Sequence, residues 1–261
     1  MGCYQIKIGI VIPARLESER LPRKVLKIFS GIPMIEHVWR RTQLTNPVIE
    51  TVIATDSEEI KKICENFGAK CYLTSENHPN GLSRISEISS KLNWDFYIVL
   101  QADEILIDPE YLSNLYKKIQ LNPEQNFFNL VTKLQNNLEL NDKNVVKCLI
   151  RNDDTIINLF RLSGLVSSIE IQLELTKKIC GIFAISSSFL SIISEAQSQE
   201  IEINESIEQM KVIELGMNIL AVNAEINYPS VNTLEEAKRV QKILDTDIRQ
   251  KQISDSYINQ Q

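Results

Sequence analysis

Glycine is scarce in this chain, with 8 residues among 261. Globular proteins average about 7% glycine, so loops that depend on glycine have little material here. Neither a G-x-x-x-x-G-K-[ST] sequence nor a G-x-G-x-x-G sequence occurs. These two patterns bring backbone amides against phosphates in Walker-type NTPases and in dinucleotide-binding folds. Their absence excludes both classes of protein.

Histidine and closely paired cysteine are also lacking. The two histidines are too few for a multi-histidine metal centre. The cysteines are odd in number, widely spaced and without a C-x-x-C sequence: Cys3, Cys64, Cys71, Cys148 and Cys180. This pattern favours reduced thiols in a cytoplasmic protein over a disulfide framework or a zinc site. The sequence shows no signal-peptide core and no apolar run near 18 residues, so we expect no membrane span.

The charge balance is acidic, with a formal net charge of −6. A protein devoted to nucleic acid needs a surplus of cations to neutralise phosphates, so we expect no nucleic-acid partner. Hydrophobic residues make up 43% of the chain, which is ordinary for a globular protein. Residues 15–27 form the one dense cationic stretch.

Strands alternate with helices over the first hundred residues. Short apolar runs at 6–12, 50–55, 70–73 and 96–100 are typical of buried strands, and amphipathic segments lie between them. This alternation predicts an α/β fold with a mostly parallel sheet flanked by helices. In such sheets, ligands bind at the carboxyl ends of the strands. We therefore expect the loops at 13–24, 74–81 and 101–108, together with Asp56, to share that edge.

The second half of the chain reads differently. Segments 128–133, 145–150, 155–160 and 178–185 resemble antiparallel strands, and helices are expected at 205–215 and 233–244 around a strand at 218–224. The simplest account is one domain over residues 1–246 with an antiparallel inserted portion at about 125–215. Residues 247–261 are polar, and we expect a frayed tail there.

The loop after the first strand concentrates positive charge. It reads PARLESERLPRK and continues to Lys27, which gives five cationic side chains: Arg15, Arg20, Arg23, Lys24 and Lys27. Cations at the exit of a parallel strand suit a ligand with several phosphates. The alternative is a charged loop that merely faces solvent.

Carboxylates follow the fourth strand. The sequence FYIVLQADE brings Gln101, Asp103 and Glu104 to the same edge. Mg²⁺ prefers one or two carboxylates together with phosphate oxygens, so Asp103 could hold Mg²⁺ against a nucleotide. The alternative is a helix cap or a solvent-facing carboxylate ahead of Pro109.

The order of these motifs resembles the 3-deoxy-manno-octulosonate cytidylyltransferase family, also called CMP-Kdo synthetases. The similarity covers about residues 6–244. It is carried by R-L-x-S-x-R-L-P-x-K from Arg15, then by VIATDSEEI, HPNGLSRISE and VLQADEILI, and later by NVVKCLI, CGIFAISSSFL, SIEQMKVIELGMNI and VNTLEEAKRV. The resemblance implies a nucleotide-diphospho-sugar-transferase-like fold.

The resemblance also implies a reaction and a set of site residues. Such enzymes join CTP to the anomeric hydroxyl of the sugar acid 3-deoxy-manno-octulosonate (Kdo), a precursor of lipopolysaccharide, and release pyrophosphate. By the same resemblance, Arg15, Lys24 and Asp103 are the catalytic residues, with Mg²⁺ held by Asp103 and Asn232. Nucleotide contacts fall to Pro13, Ala14, Arg15, Lys24, Gly81, Arg84 and Asp103. The sugar acid would face Gln101, Arg161, Glu208 and Gln209, with Arg161 pairing with its carboxylate. Family members are commonly homodimers.

Several positions depart from the family pattern. Leu82 and Ser83 stand where the family has threonine and an acid, Ala102 stands for a glycine, and Asn232 for a metal-binding aspartate. A histidine and a tyrosine of the family become Ile179 and Phe183. Two explanations are open. The enzyme uses a related keto-deoxy sugar acid, or catalysis is weak or lost and the chain binds a nucleotide or sugar without turnover.

Overall fold

The computed structural model describes residues 5–18, 20–78, 80–198, 200–226 and 228–258. Its helices and strands in chain order are β1 (Ile8–Ala14), β2 (Ile28–Phe29), β3 (Ile32–Pro33), α1 (Met34–Thr42), β4 (Thr51–Thr55), α2 (Glu58–Asn66), β5 (Lys70–Leu73), α3 (Gly81–Leu92), β6 (Phe96–Leu100), α4 (Pro109–Leu121), β7 (Phe127–Lys133), α5 (Asn137–Asn141), β8 (Lys147–Ile150), β9 (Ile156–Phe160), α6 (Ile169–Leu175), β10 (Thr176–Ser186), α7 (Ser187–Glu195), α8 (Glu200–Glu205), α9 (Met210–Glu214), β11 (Leu220–Asn223), α10 (Leu234–Thr246) and α11 (Ile248–Ile258). A 3₁₀ turn covers Lys24–Leu26.

The chain divides into two compact units. The first comprises Met1–Ser113 with Tyr228–Gln261, and the second comprises Asn114–Asn227. The inserted portion expected at about 125–215 falls wholly within the second unit. The description of residues 1–246 as one domain stays a prediction. Within the described ranges, no helix has both the length and the apolar character needed to cross a membrane.

The first unit contains a parallel sheet in the order β6–β1–β4–β5. Five consecutive residues of β1, Ile8–Ile12, are buried, because the strand is covered on both faces as the apolar run predicts. The register pairs Ala14 with Thr55 and Thr55 with Leu73, so three strands end side by side. The predicted α/β fold, with a mostly parallel sheet flanked by helices, is confirmed.

Gly9 in β1 is needed because of Trp94. A Cβ atom added at Gly9 would overlap the Trp94 indole ring. The indole is buried, and its Nε1 donates a hydrogen bond to Glu50 Oε2. Glycine therefore lets an aromatic ring lie directly against the strand backbone.

Side-chain caps begin the helices near the strand ends. Asn80 accepts from the Ser83 amide at the start of α3, and Thr233 with Glu236 forms a capping box on α10. Helix α2 begins in the same way. Ser57 caps that helix by accepting from the Ile60 amide, which leaves the Asp56 carboxylate available for a different partner.

The second unit is mainly antiparallel around β10. That strand pairs with β7 and β8, while β8 also pairs with β9. One parallel neighbour, β11, lies on the other side of β7. The rings of Phe127 and Phe183 stack with centroids 5.2 Å apart. The expected antiparallel portion is therefore confirmed.

The expectation of a frayed tail was wrong. Residues 248–258 form α11, and Gln250, Ile253, Ser254 and Tyr257 are buried. Polar composition alone misled, because this helix is held by buried hydrogen bonds as well as by apolar packing. Residues 259–261 lie outside the described ranges.

Candidate active site

Lys24, Asp103 and Asn232 form a polar cluster in the first unit. Lys24 Nζ donates to Asp103 Oδ2 at 2.8 Å and to Asn232 Oδ1 at 3.1 Å. Arg20 Nη2 also donates to Asn232 Oδ1, at 3.4 Å. The side chains of Lys24 and Asp103 are only 16% and 13% exposed. Lys24 and Asn232, which are 208 positions apart in the sequence, therefore meet beside Asp103, just after the end of β6.

The backbone fixes the two oxygen-bearing residues of this cluster. The Val231 amide donates to the Asp103 carbonyl at 3.1 Å. The Asn232 amide donates to Glu236 Oε2 at 2.7 Å, and that carboxylate also completes the capping box of α10. Asn232 is therefore anchored to both the loop of Asp103 and the start of a helix, which favours a fixed geometry for its side-chain oxygen.

The cluster suits Mg²⁺ in its donor chemistry. Asp103 Oδ1 is buried and has no hydrogen-bond partner, which is costly for a carboxylate oxygen unless a cation binds there. Asn232 adds a carbonyl oxygen, and Mg²⁺ accepts such a sparse protein set when waters and phosphates complete it. Among the residues that the structure describes, no group of three or more His, Cys, Asp or Glu side chains could hold a metal, so the protein ligands of a metal here would be only Asp103 and Asn232.

A second buried polar group lies at the ends of β4 and β5. Arg84 is 1% exposed; its Nη2 donates to Asp56 Oδ2 at 2.7 Å and its Nη1 donates to Thr74 Oγ1. Asp56 and Thr74 directly follow these two strands. This guanidinium therefore ties two strand ends together. Arg84 stands within α3.

The remaining nucleotide-site predictions lie near the end of β1. Pro13 and Ala14 are its last two residues, and exposed Arg15 follows directly. Gly81 opens α3, where an added Cβ would be 3.5 Å from Pro13 Cγ. The structure thus brings Gly81 next to Pro13 and Lys24 next to Asp103. Of the other cations, Arg23 pairs with Glu59 in an exposed ion pair.

Arg161 in the second unit is occupied by backbone carbonyls. Its Nε, Nη1 and Nη2 donate to the carbonyls of Glu205, Lys143 and Ser206. A guanidinium has five N–H donors, so two are left for a ligand. Lys147 beside it is fully buried and donates to the Arg161 carbonyl, and burial lowers the pKa of its ammonium. These contacts hold Arg161 in one orientation.

Gln209 and Glu208 precede α9 in the same unit. Gln209 Nε2 donates to Asn129 Oδ1 at 3.3 Å. Asn129 is fully buried and donates in turn to the carbonyls of Leu130 and Cys180. Both predicted sugar-facing residues are half-buried. In the first unit, Gln101 follows β6 directly and is half-buried as well.

Sequence reasoning placed Asp56 at the ligand edge and Arg20 in the cationic loop, but it did not predict the partner of either side chain. Asp56 stands directly after a parallel strand, as Gln101 does, so its position was a usable signal. Arg20 belonged to the cationic stretch, but nothing in the sequence pairs it with Asn232, a residue 212 positions away.

Comparisons with known proteins agree on one family. The sequence model of the protein family described as "Cytidylyltransferase" matches residues 9–219 of this chain. The chain is 32% identical to the mitochondrial 3-deoxy-manno-octulosonate cytidylyltransferase of Arabidopsis thaliana, over 92% of this chain and 84% of that protein. It is 31% identical to the enzyme of the same name from Chlorobium limicola, over 90% and 96%. A solved CMP:2-keto-3-deoxy-manno-octonic acid synthetase complexed with CTP superposes with a TM-score of 0.87 at 28% identity, covering 93% of this chain and 100% of that one.

Proposed function

Because the chain belongs to the cytidylyltransferase family and resembles its 3-deoxy-manno-octulosonate members, we propose that it transfers CMP from CTP to 3-deoxy-manno-octulosonate or a related keto-deoxy sugar acid. The anomeric oxygen of the sugar forms a bond to the α-phosphorus. The bond from that phosphorus to the oxygen bridging to the β-phosphate breaks, pyrophosphate leaves, and the hydroxyl proton passes to solvent. The Lys24–Asp103–Asn232 cluster is the observation that carries this proposal.

Charge stabilisation is the main task of the first-unit residues. Negative charge grows on the leaving pyrophosphate, and nearby cations lower the barrier by stabilising it. Lys24 and Arg15 grip the triphosphate in this proposal, and Arg20 stands close enough to Asn232 to help. Asp103 and Asn232 hold Mg²⁺, which supplies further positive charge at the phosphates. Pro13, Ala14, Gly81 and Arg84 complete the nucleotide contacts.

Recognition of the sugar acid is assigned to Gln101, Arg161, Glu208 and Gln209. The two unused donors of Arg161 suit a carboxylate, which accepts two parallel hydrogen bonds. Phe183 is apolar and buried against Phe127, so it offers no hydroxyl where the family has a tyrosine. That loss supports a sugar acid related to Kdo as a second substrate to be tested.

Pyrophosphate release tests the proposal. Pure protein is incubated with CTP, Mg²⁺ and Kdo, and in parallel with amino-Kdo or nonulosonic acids. We expect release with at least one acid and a loss of about 10²–10³-fold in kcat/KM for Lys24→Met. Arg23→Gln is the matched control, because Arg23 belongs to the same loop yet pairs with Glu59. No release with any acid, together with CTP-dependent thermal stabilisation, would instead support the alternative of a binding protein without turnover.

We also propose a homodimer. Helix α6 in the second unit has no buried residue, and Ile169, Ile171 and Leu175 along it are about half exposed, at 47%, 47% and 53%. Exposed apolar side chains gathered on one element are typical of protein contacts. Light scattering should give twice the mass of the chain, and Ile171→Asp together with Leu175→Asp should give the monomer mass.

A cytoplasmic location is the remaining proposal. Cys64, Cys71, Cys148 and Cys180 form no disulfide in the structure, which suits a reducing compartment; Cys3 lies outside the described residues. The relative from Arabidopsis thaliana is named as mitochondrial, so the two compartments should be distinguished by fractionation.

A further inference from the structure

Helix α11 lies beyond residues 9–219, the range that the family model matches. Its buried side chains are polar as often as apolar: Gln250 and Ser254 alternate with Ile253 and Tyr257. A buried polar group must find a hydrogen-bond partner. The partners of these side chains show what the helix does.

The first set of partners is the loop that follows Asp103. Gln250 is fully buried, and its Nε2 donates to the Leu106 carbonyl at 2.9 Å. Arg249 makes a two-pronged ion pair with Asp108, at 2.7 Å and 3.0 Å. Asp108 in turn accepts from the Glu110 amide at the start of α4. The helix therefore binds the segment three to five residues after Asp103, through the Leu106 backbone and the Asp108 side chain.

The same loop is held a second time through Arg41. This fully buried guanidinium donates to the Ile107 carbonyl at 2.9 Å and to Ser254 Oγ at 3.2 Å. The third to fifth residues after Asp103, Leu106 to Asp108, are thus held by α11 directly or through Arg41.

The second set of partners is the strand that follows Lys24. The His37 ring contacts the Tyr257 hydroxyl through Nδ1 and the Phe29 carbonyl through Nε2, both at 2.7 Å. A carbonyl oxygen only accepts, so Nε2 carries the proton and Nδ1 accepts from the Tyr257 hydroxyl. Phe29 belongs to β2, five residues after Lys24. Tyr257 and Ile253 also pack against Ile32 in β3.

We infer that α11 is a positioning element of the active site, with Gln250 and Tyr257 as its positioning residues. The helix fixes the backbone of both segments whose side chains meet in the Lys24–Asp103 contact. Displacing a catalytic group by about 1 Å can cost about 10²-fold in rate, so loosening either segment lowers turnover. The catalytic part of this inference rests on the proposed function.

Two conservative variants test the two held segments one at a time. Gln250→Leu keeps the side-chain volume but removes the donor to Leu106, and Tyr257→Phe removes only the hydroxyl that reaches His37. We expect kcat to fall about tenfold in each, with KM for the sugar acid within about twofold, because the sugar acid is assigned to other residues. Gln252→Ala on the exposed face of α11 and Ile8→Val in β1 control for the helix surface and for a general loss of packing.

Hydrogen exchange gives a readout that needs no activity. Amides at 103–108 should exchange about tenfold faster in Gln250→Leu, and amides at 28–30 should do so in Tyr257→Phe, while the two controls match the wild type. Unchanged exchange at these segments overturns the inference, as does faster exchange with unchanged kcat. If the wild type releases no pyrophosphate, the proposed function fails, and exchange at the two segments alone decides the positioning role.

Discussion

Replacing Asn232 by aspartate should tighten Mg²⁺ binding. In the structure, the side-chain Oδ1 of Asn232 lies 3.1 Å from Lys24 Nζ, and Asp103 Oδ2 lies 2.8 Å from the same nitrogen. The ammonium of Lys24 therefore bridges the two proposed metal ligands. A cation with two charges gains more from an added carboxylate than an ammonium does, so the exchange of Lys24 for Mg²⁺ becomes more favourable.

The size of the effect follows from the distances. At an effective dielectric constant of about 20, a unit charge about 3 Å away interacts with the ammonium by about 5 kcal/mol and with a divalent ion by about 10 kcal/mol. Dehydrating the new carboxylate costs several kcal/mol of the difference. We expect a net gain of about 1–3 kcal/mol, which corresponds to about 5- to 150-fold in Mg²⁺ affinity.

The assay measures the Mg²⁺ concentration that gives half of the thermal stabilisation by CTP. Asn232→Asp should lower this concentration, and Asn232→Ala, which removes the oxygen, should raise it. Gln252→Glu adds the same charge on the exposed face of α11 and should change nothing. Equal midpoints for Asn232→Asp and wild type would refute the assignment of residue 232 as a metal ligand.

Three further predictions concern stability. Burial lowers the pKa of His37 from 6.5 to about 4, so between these pH values the unfolded chain binds a proton at this residue and the folded chain does not. The free energy of unfolding should therefore fall by about 3 kcal/mol as the pH is lowered to 4. Urea titrations of His37→Gln should lack this pH-dependent loss. Asp56→Asn removes the charged partner of a buried guanidinium and should cost about 3 kcal/mol, whereas Asp153→Asn in an exposed ion pair should leave the melting temperature nearly unchanged; equal losses in thermal unfolding would contradict this. Gly9→Ala should lower the melting temperature sharply, because the new methyl group meets the Trp94 ring, and an unchanged melting temperature would show that the ring is free to move.

The regular part of the first unit was predictable because its patterns are local. The strands 70–73 and 96–100 match β5 and β6 residue for residue. Short β-branched runs between amphipathic segments have few other interpretations. The parallel order then follows from the short helical connections, and with it the edge at which ligands bind.

The second unit was harder because its elements carry weaker signals. The sequence pattern does not indicate where α7, Ser187–Glu195, begins, because its first residues belong to a run of serines between the apolar strand and the apolar residues of the helix. The helix start is set by Ser186, the last residue of β10, whose Oγ accepts from the Phe189 amide. A serine within a run of serines does not reveal which member will cap.

The site residues also divide into those indicated by a local sequence pattern and those placed only by long-range contacts. Asp103 could be named because an acid after a parallel strand is a local pattern, and Lys24 because it belongs to a cationic loop. Their contact with Asn232 joins three distant segments and depends on how the Val231 amide meets the Asp103 carbonyl. No periodicity encodes such a contact, and only the resemblance to a family placed residue 232 at the site.

The substitution at residue 232 fits the contacts around it. With aspartate there, Lys24 and Arg20 would face two carboxylates; with asparagine, they face one carboxylate and one amide oxygen. The cluster therefore keeps a greater net positive charge. A site of that charge holds a triphosphate through its side chains and leaves more of the metal binding to the phosphates themselves. On this reasoning, the chain should bind the Mg²⁺–CTP complex as a unit rather than bind Mg²⁺ first, and titration calorimetry of Mg²⁺ into the protein without CTP should show no saturable binding at millimolar concentrations.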